Sequence, residues 1–339
     1  MPKITVILPV YNTEKYIKEA VQSILDQTFT DFDVLIINDA STDNTLNILN
    51  EFSDSRIHII NNETNLKVVK TLNKGLDLAK GEFIARMDAD DIAHPKRFEK
   101  QISFFEAHPN VEFCGTWVQN YGAEDSIMRA AYTHDSIKAR MLFLNPIFHP
   151  SVMFKKKSFD RHNLRFDESF TNAEDFGMWA KAIDLVRFAN VPEVLLKYRI
   201  HAENVSVLKS SNKTVLDEIH YRVYREFFKK IGVAFGDNDL ILHRKLALVS
   251  LAKLNELELS KYLNWLRKLY DANNKSAYIN KKSLNIVIIS FHLYLIRKAG
   301  ISFTTVRLLL KEWQRFKFSD FANYLSDRYS TKSKKIKSF

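Results

Sequence analysis

The chain has 339 residues, more than the ~100–200 of one domain, and with 46% hydrophobic residues it can bury a substantial core. Its single cysteine, Cys114, excludes an internal disulfide. Residues 1–12 lack the length and cleavage site of a secretory signal, so we expect a cytoplasmic protein.

The net charge of +10 is unevenly distributed. Residues 1–206 contain 24 Lys and Arg against 29 Asp and Glu, whereas residues 207–339 contain 26 against 11. A basic half of this size indicates an anionic partner, and a lipid surface, nucleic acid and an acidic glycan are the candidates. A solvated basic surface without a partner is the alternative. Nucleic acid is not expected, because no recognised binding motif accompanies the charge.

The first half alternates predicted strands and helices. Apolar, β-branched runs predict strands, and apolar residues at a spacing of 3.6 predict the helices between them. The strands are predicted at residues 4–10, 33–37, 57–60 and 82–87, the helices run through Ile17–Leu25, Leu46–Phe52 and Val69–Ala79, and Asn12 or Thr13 and residues 41–43 are the expected helix caps. This order predicts an α/β fold with a doubly wound, mostly parallel sheet.

Polar residues follow three of these strands, where ligands of such sheets bind. They are Tyr11-Asn12, residues 38–41 and the acidic run Asp88-Ala89-Asp90-Asp91. Carboxylates this close repel one another unless a cation offsets their charge, so the run predicts a Mg²⁺ or Mn²⁺ site that binds a nucleotide or another diphosphate. A solvated acidic turn is the alternative. We expect Asp91 to lie behind the metal ligands or at a helix N-terminus.

A dinucleotide-binding Rossmann protein fits poorly, since no G-x-G-x-x-G motif follows the first strand and the chain has only 8 glycines. A P-loop is also absent. Five blocks instead resemble family-2 glycosyltransferases of the GT-A fold over residues 3–206. The blocks are residues 9–12, 38–43, 73–75, 81–91 and 174–179.

The resemblance implies a UDP-sugar donor and a bound Mn²⁺ or Mg²⁺. It places Tyr11 and Asp39 against the uracil, Asp88 at the ribose and the metal, and Asp90 on the metal. Pro9, Asn12 and Ala89 belong to the same donor-binding blocks. Two segments depart from the family. In residues 38–43, Asn38 stands where the family often has an acidic residue and Ala40 replaces a glycine, and Asn65-Leu66-Lys67 replaces the usual Asn-x-Gly.

The resemblance also implies a catalytic base, Asp175. From the residues alone, Glu174 and Asp175 read as anionic residues at a helix N-terminus. Glu174, His149 and Trp179 are candidates for the acceptor side, where Trp179 would stack on a sugar and His149 would line the acceptor or the donor-sugar pocket. Burial in the core is the alternative for Trp179, and a structural role in its loop is the alternative for His149.

Residues 198–201, followed by Asn204 and Ser206, resemble the segment that closes over the diphosphate in this family. There His201 would complete the metal site or contact phosphate, and a nitrogen ligand would favour Mn²⁺. Arg199 would pair with phosphate oxygens, unless it is an ordinary surface cation.

The second half reads as helices, one of them predicted through Leu246–Leu257. Residues 284–296 are too short to cross a bilayer and indicate either a core helix or an interfacial one. Residues 331–339 read as a disordered polybasic tail that attracts the anionic inner leaflet or aids solubility. We therefore expect a catalytic domain at 1–206, a basic helical domain at 207–330 and a tail at 331–339.

Together these features predict an inverting, metal-dependent glycosyltransferase that moves a sugar from a UDP-sugar to a glycan or lipid-linked oligosaccharide. The expected pathway class is cell-surface polysaccharide or lipopolysaccharide synthesis, with peripheral attachment to the inner face of the membrane. A lipid-carrier phosphate is a further candidate acceptor. A non-catalytic nucleotide-sugar-binding or scaffold module at the membrane surface is the alternative from another class.

Overall fold

A computed structural model describes residues 1–170, 172–201 and 213–333. They form two compact units, one from residues 1–133 and 147–201, the other from residues 134–146 and 213–333. The sequence predicts a catalytic domain that is contiguous over residues 1–206. Residues 134–146 instead belong to the second, helical unit. Asn204, Ser206 and residues 334–339 of the predicted tail lie outside the described residues.

The first unit is built on one mixed sheet of nine strands among the described residues. The strands are β1 (Ile4–Val10), β2 (Phe32–Asn38), β3 (Ile57–Asn61), β4 (Phe83–Arg86), β5 (Ile92–Ala93), β6 (Phe113–Gly122), β7 (Ser126–Met128), β8 (Met153–Lys155) and β9 (Phe188–Ile200). Their order is β3-β2-β1-β4-β8-β6-β9-β5, with β7 paired to β6. Strands β1 to β4 are parallel, and β8 runs antiparallel to both of its neighbours.

Helices cover the sheet. They are α1 (Ile17–Leu25), α2 (Thr45–Asn50), α3 (Lys67–Leu78), α4 (Arg97–Ala107), α6 (Lys156–Arg161) and α7 (Glu174–Ala182), while α5 (His134–Met141) belongs to the other unit. Apolar residues of β1 and β2 are almost wholly buried, as the continuous apolar runs predict. Gly75 of α3 lets the helix approach the sheet closely, because a methyl group there would lie 2.6 Å from Cγ2 of Ile7.

The second unit is helical. Its remaining helices are α8 (Lys213–Ile231), α9 (Asp237–Ala247), α10 (Glu256–Ser276), α11 (Lys281–Ala299), α12 (Phe303–Trp313) and α13 (Phe318–Ser333). Residues 134–146 join its core: Tyr224 donates a hydrogen bond to the Phe143 carbonyl at 2.8 Å, and His243 bonds the Leu142 carbonyl at 2.9 Å. Trp265 donates to the other ring nitrogen of His243 at 3.0 Å, so this buried imidazole is fully bonded.

Two predictions about helices need correction. The helix expected through Leu246–Leu257 is wrong, because α9 ends at Ala247, Val249 has a left-handed φ of 52°, and α10 begins only at Glu256. The expected side-chain cap of α1 is also wrong, since among the described residues no side chain caps that helix, which starts after Tyr16. At α2 one of the expected residues does bond the helix start, because Asp43 Oδ1 accepts a hydrogen bond from the Thr45 amide at 3.0 Å.

Helix α11 resolves the two interpretations of residues 284–296. Leu284, Ile288, Ile289 and Leu295 are buried, so the stretch is a core helix and the interfacial alternative is wrong. None of the helices in the described part of the chain has the length and hydropathy to cross a membrane.

Candidate active site

The acidic run forms a tight turn at the carboxyl end of β4. Ligand oxygens of Asp88, Asp90 and Asp91 all lie within 4.8 Å of one another. Asp91 is fully buried, and its Oδ2 has no hydrogen-bond partner among the residues that the structure describes. Burial and the Asp88 charge raise the pKa of Asp90, while His201 opposes the rise, and burial with the neighbouring aspartates raises the pKa of Asp91 further. The turn is therefore an electrostatic minimum for a cation.

Strand β9 brings a second segment to this turn. Strand β5, which directly follows the aspartates, pairs antiparallel with β9 through Ile92–Lys197 and Ala93–Leu196. Beyond these pairs, the Arg199 amide donates to Asp91 Oδ1 at 2.9 Å, and His201 Nε2 lies 2.9 Å from Asp90 Oδ2. The predicted meeting of His201 with the acidic run is thus present in the structure.

The guanidinium of Arg199 is packed among protein side chains next to the acidic turn. It is stacked between the rings of Tyr16 and Tyr121, 4.6 Å from each centroid, and its Nε donates to the Asp90 carbonyl at 2.8 Å. Its Nη2 pairs with Glu19 at 2.5 Å. These contacts fix the backbone that carries Asp90. The alternative that Arg199 is an ordinary surface cation is therefore wrong.

Asp88 is held by a buried arginine. Arg86 contacts both carboxylate oxygens, at 2.5 and 2.7 Å. Burial lowers the pKa of Arg86, but the pairing with Asp88 and the nearby charges of Glu174 and Asp91 outweigh it and leave the pKa raised. Arg86 thus links the acidic turn electrostatically to the start of α7. Arg97, itself buried, donates to the Arg86 carbonyl at 2.7 Å.

Asp39 organises the loop after β3. Its carboxylate accepts hydrogen bonds from the side chain of Asn62 and from the amides of Leu66 and Lys67, at 2.8 to 2.9 Å. Asp39 is buried. Its visible role is therefore to shape this loop, and a contact with uracil stays a prediction.

Asn12 joins the first two strand ends. Its amide donates to Ser41 Oγ at 3.0 Å, and its side chain bonds the amide and the hydroxyl of Thr42. Tyr11 beside it is 47% exposed, so its ring is accessible to a planar ligand. Pro9 is half-buried in β1, opposite Ile37, and contributes backbone rather than a reactive group.

The two residues that replace a family glycine have left-handed backbone. Ala40 has a φ of 58° and Lys67 a φ of 71°. This is the conformation that glycine adopts without steric penalty. The loop geometry is thus retained where the glycines expected from the family are missing.

Helix α7 presents its acidic N-terminus as predicted. Glu174 and Asp175 lie in its first turn, and no side chain of the described residues caps the helix. Glu174 is buried, and in the described part of the chain its Oε2 has no hydrogen-bond partner. Asp175 Oδ1 accepts a hydrogen bond from the Phe176 amide at 2.7 Å. Ala89 is buried in the acidic turn.

Trp179 does not face the site. It is 0% exposed and packs against Phe113, with ring centroids 4.6 Å apart. The prediction that it stacks on a sugar is therefore wrong, and the alternative of core burial applies. His149 is also buried and lies edge-on to Trp179 at 5.6 Å, which fits a structural position in its loop.

Tyr16, Glu19, Arg86 and Tyr121 are site residues that the sequence reasoning missed. For Arg86 a signal exists, since alternation along an extended strand end puts residues 86 and 88 on one face. The two tyrosines and Glu19 come from other elements, and only the folded chain shows that they surround Arg199.

Comparison with known proteins defines the class. The profile of Glycosyl transferase family 2 matches residues 5–168. An uncharacterized glycosyltransferase of Haemophilus influenzae is 34% identical over 250 residues, covering 68% of this chain and 76% of that protein. The O-antigen biosynthesis glycosyltransferase WbnJ of Escherichia coli is 31% identical over 237 residues, covering 67% and 89%.

A solved structure extends the likeness to the fold. S. aureus TarS 1-349 in complex with UDP-GlcNAc superposes with a TM-score of 0.58 at 18% identity, covering 97% of this chain and 91% of TarS. The protein therefore has the GT-A fold predicted from its sequence. It belongs to glycosyl transferase family 2.

Proposed function

We propose that the protein is a metal-dependent, inverting glycosyltransferase that moves a sugar from a UDP-sugar to a hydroxyl group of a glycan or lipid-linked oligosaccharide. The observation that carries the proposal is the meeting of Asp88, Asp90 and Asp91 with His201 at one end of the sheet. The UDP-GlcNAc complex of TarS supports the donor class. The name of WbnJ supports an acceptor in surface-polysaccharide or lipopolysaccharide synthesis.

The residues present fit a divalent cation. Asp90 and His201 would hold it, with Asp88 beside them, and this set of oxygen and imidazole donors suits Mn²⁺ or Mg²⁺, the imidazole favouring Mn²⁺. The unpartnered Oδ2 of Asp91 and the raised pKa of Asp90 are costs that a nearby positive charge offsets. When bound, such an ion neutralises the charge that develops on the departing diphosphate.

The chain's own groups would position the nucleotide. The exposed ring of Tyr11 stacks on uracil, and Asp39 accepts its imide N–H while holding the Asn62–Lys67 loop in place. Asp88, oriented by Arg86, accepts a hydrogen bond from a ribose hydroxyl. Arg199 acts by positioning Asp90 and Asp91 rather than by binding phosphate, because its guanidinium is already engaged by Glu19 and the Asp90 carbonyl.

Asp175 would be the general base. It would remove the proton of the acceptor hydroxyl as that oxygen attacks the anomeric carbon from the face opposite the diphosphate. One displacement of this kind inverts the configuration and needs no covalent intermediate, by analogy with inverting glycosidases. The buried Glu174 next to it would accept a hydrogen bond from a sugar hydroxyl at Oε2, which has no partner among the described residues.

Two substitutions test these roles. Asp175→Asn should lower kcat for transfer by about 10²–10⁴-fold and leave UDP affinity unchanged. Asp90→Ala should abolish transfer and also remove the effect of Mn²⁺ on UDP binding. Asp77→Asn, which alters an exposed ion pair with Arg165, is the matched control and should behave as wild type.

Near-normal turnover by Asp175→Asn would show that another residue is the base. Slow hydrolysis of UDP-sugars by the wild type separates an enzyme from a binding module. If the wild type binds UDP with Mn²⁺ but neither hydrolyses nor transfers any of a panel of UDP-sugars, the non-catalytic alternative replaces the proposal.

A further inference from the structure

Helix α12 exposes an apolar stripe. Phe303, Val306 and Leu310 recur at helical spacing on the side of the helix turned away from its buried residues. Phe303 is 86% exposed, and Ile301 in the preceding turn is 88% exposed. Contiguous exposed apolar side chains of this kind mark interaction surfaces in soluble folds.

Basic side chains border the stripe. Arg307 and Lys311 are exposed on the same helix, and among the described residues neither has an ion-pair partner. Residues 297–317 contain six Lys and Arg and one acidic residue, Glu312. Glu312 is buried and pairs with Arg267 and Arg315, and in the described part of the chain it forms no ion pair with Arg307 or Lys311.

The combination selects the kind of partner. An apolar stripe flanked by cations is the pattern of a helix that lies in a membrane interface, with its apolar side chains below the headgroups. Self-association fits less well, because a two-fold contact through this stripe would bring Arg307 and Lys311 of both copies together. Helix α11 offers no such surface, since each of its apolar side chains is buried or partly buried.

We propose that α12 and the turn at Ile301 form the docking surface of this protein for an anionic lipid bilayer. Ile301, Phe303, Val306 and Leu310 enter the headgroup boundary, and Arg307 and Lys311 pair with lipid phosphates. The proposed surface contains none of the residues assigned to the nucleotide site, so this proposal does not depend on the proposed reaction.

Vesicle co-sedimentation of the full chain tests the surface. Wild type should bind vesicles of phosphatidylglycerol and phosphatidylcholine and be released as salt increases, with little binding to phosphatidylcholine alone. The pair Phe303→Ser and Leu310→Ser should lower the partition coefficient by at least about tenfold. The pair Arg307→Gln and Lys311→Gln should weaken binding and reduce its dependence on salt.

Matched controls come from the same unit. Leu257, 67% exposed, gives Leu257→Ser as the apolar control, and the exposed Lys245 and Lys253 give a Gln pair as the charge control. Both controls should bind vesicles as wild type does, and all variants should keep the wild-type circular dichroism and UDP affinity.

Three results would overturn the assignment. One is unchanged vesicle binding by the Phe303 and Leu310 pair, and another is an equal loss in the controls. The third is a wild-type dimer in gel filtration that the Phe303 and Leu310 pair converts to monomer, without vesicle binding by either protein. A second copy would then be the occupant of the stripe.

Discussion

Substitution of Arg199 tests whether its contacts hold Asp90 and His201 in position. Replacing it by lysine keeps the charge but removes the planar fork that reaches both the Asp90 carbonyl and Glu19. The hydrogen bond from a charged donor contributes about 1.5–3 kcal/mol. Stacking on Tyr16 and Tyr121 adds about 0.5–2 kcal/mol.

Losing these contacts frees the backbone of Asp90 and the end of β9 that carries His201. Groups that orient metal ligands typically change metal affinity by about 10–100-fold when removed. We therefore expect Arg199→Lys to reduce the gain in UDP affinity that Mn²⁺ provides by about 10–100-fold. Calorimetric titration of UDP with and without Mn²⁺ measures that gain directly.

Two companion variants make the result interpretable. Arg165→Lys breaks a comparable fork to Asp77 on the surface and should leave the Mn²⁺ effect unchanged. Glu19→Gln should have a smaller effect than Arg199→Lys, because the Glu19 side chain is 58% exposed and its pairing is screened by solvent. If Arg199→Lys keeps the full Mn²⁺ effect, Arg199 does not position the metal ligands, and the reasoning is refuted.

Three predictions concern stability, each measured by urea unfolding. Ala40→Gly and Lys67→Gly should each raise the free energy of unfolding by up to about 1 kcal/mol. Glycine removes the ~1–2 kcal/mol that an L-residue costs in left-handed backbone, but it destabilises the fold by ~0.5–1 kcal/mol because it increases the entropy of the unfolded chain. Lower stability of both variants would contradict this prediction. Burial lowers the pKa of His292 to about 4, below its unfolded value of about 6.5, so its contribution is complete above pH 6.5 and declines by about 1.4 kcal/mol per unit as pH falls toward 4. His292→Leu should therefore flatten the acid limb of the stability curve, and a curve parallel to wild type would count against it. Trp179→Ala should lower the free energy of unfolding by about 3–5 kcal/mol, because its fully buried ring leaves a cavity, and a loss below about 1 kcal/mol would be incompatible with core burial.

The sequence predicts the central sheet well because burial on both faces leaves a clear mark. Strands β1 to β4 lie where the apolar runs place them, within a residue or two at each end. The rule that ligands bind beyond parallel strand ends then directs attention to the acidic run and to Asp39, before any long-range contact is known.

Long-range pairing is what the sequence could not supply. The contact between Asp91 and Arg199 joins residues 108 positions apart, through a short strand of two residues that no periodicity reveals. Local pattern alone also misjudged the break at Val249, where apolar spacing continues through a left-handed residue. Trp179 shows the same limit, since its helix position fits both a core and a sugar-binding surface, and only packing decides between them.

The central claim is that Asp90 and His201 hold a divalent cation at the nucleotide diphosphate. Anomalous diffraction from a crystal grown with Mn²⁺ and UDP tests it most directly. We predict a manganese peak in contact with the Asp90 carboxylate, the His201 imidazole and the diphosphate of UDP, and its loss in Asp90→Asn. UDP bound with no anomalous peak at these two side chains, or a peak elsewhere in the chain, would contradict the claim.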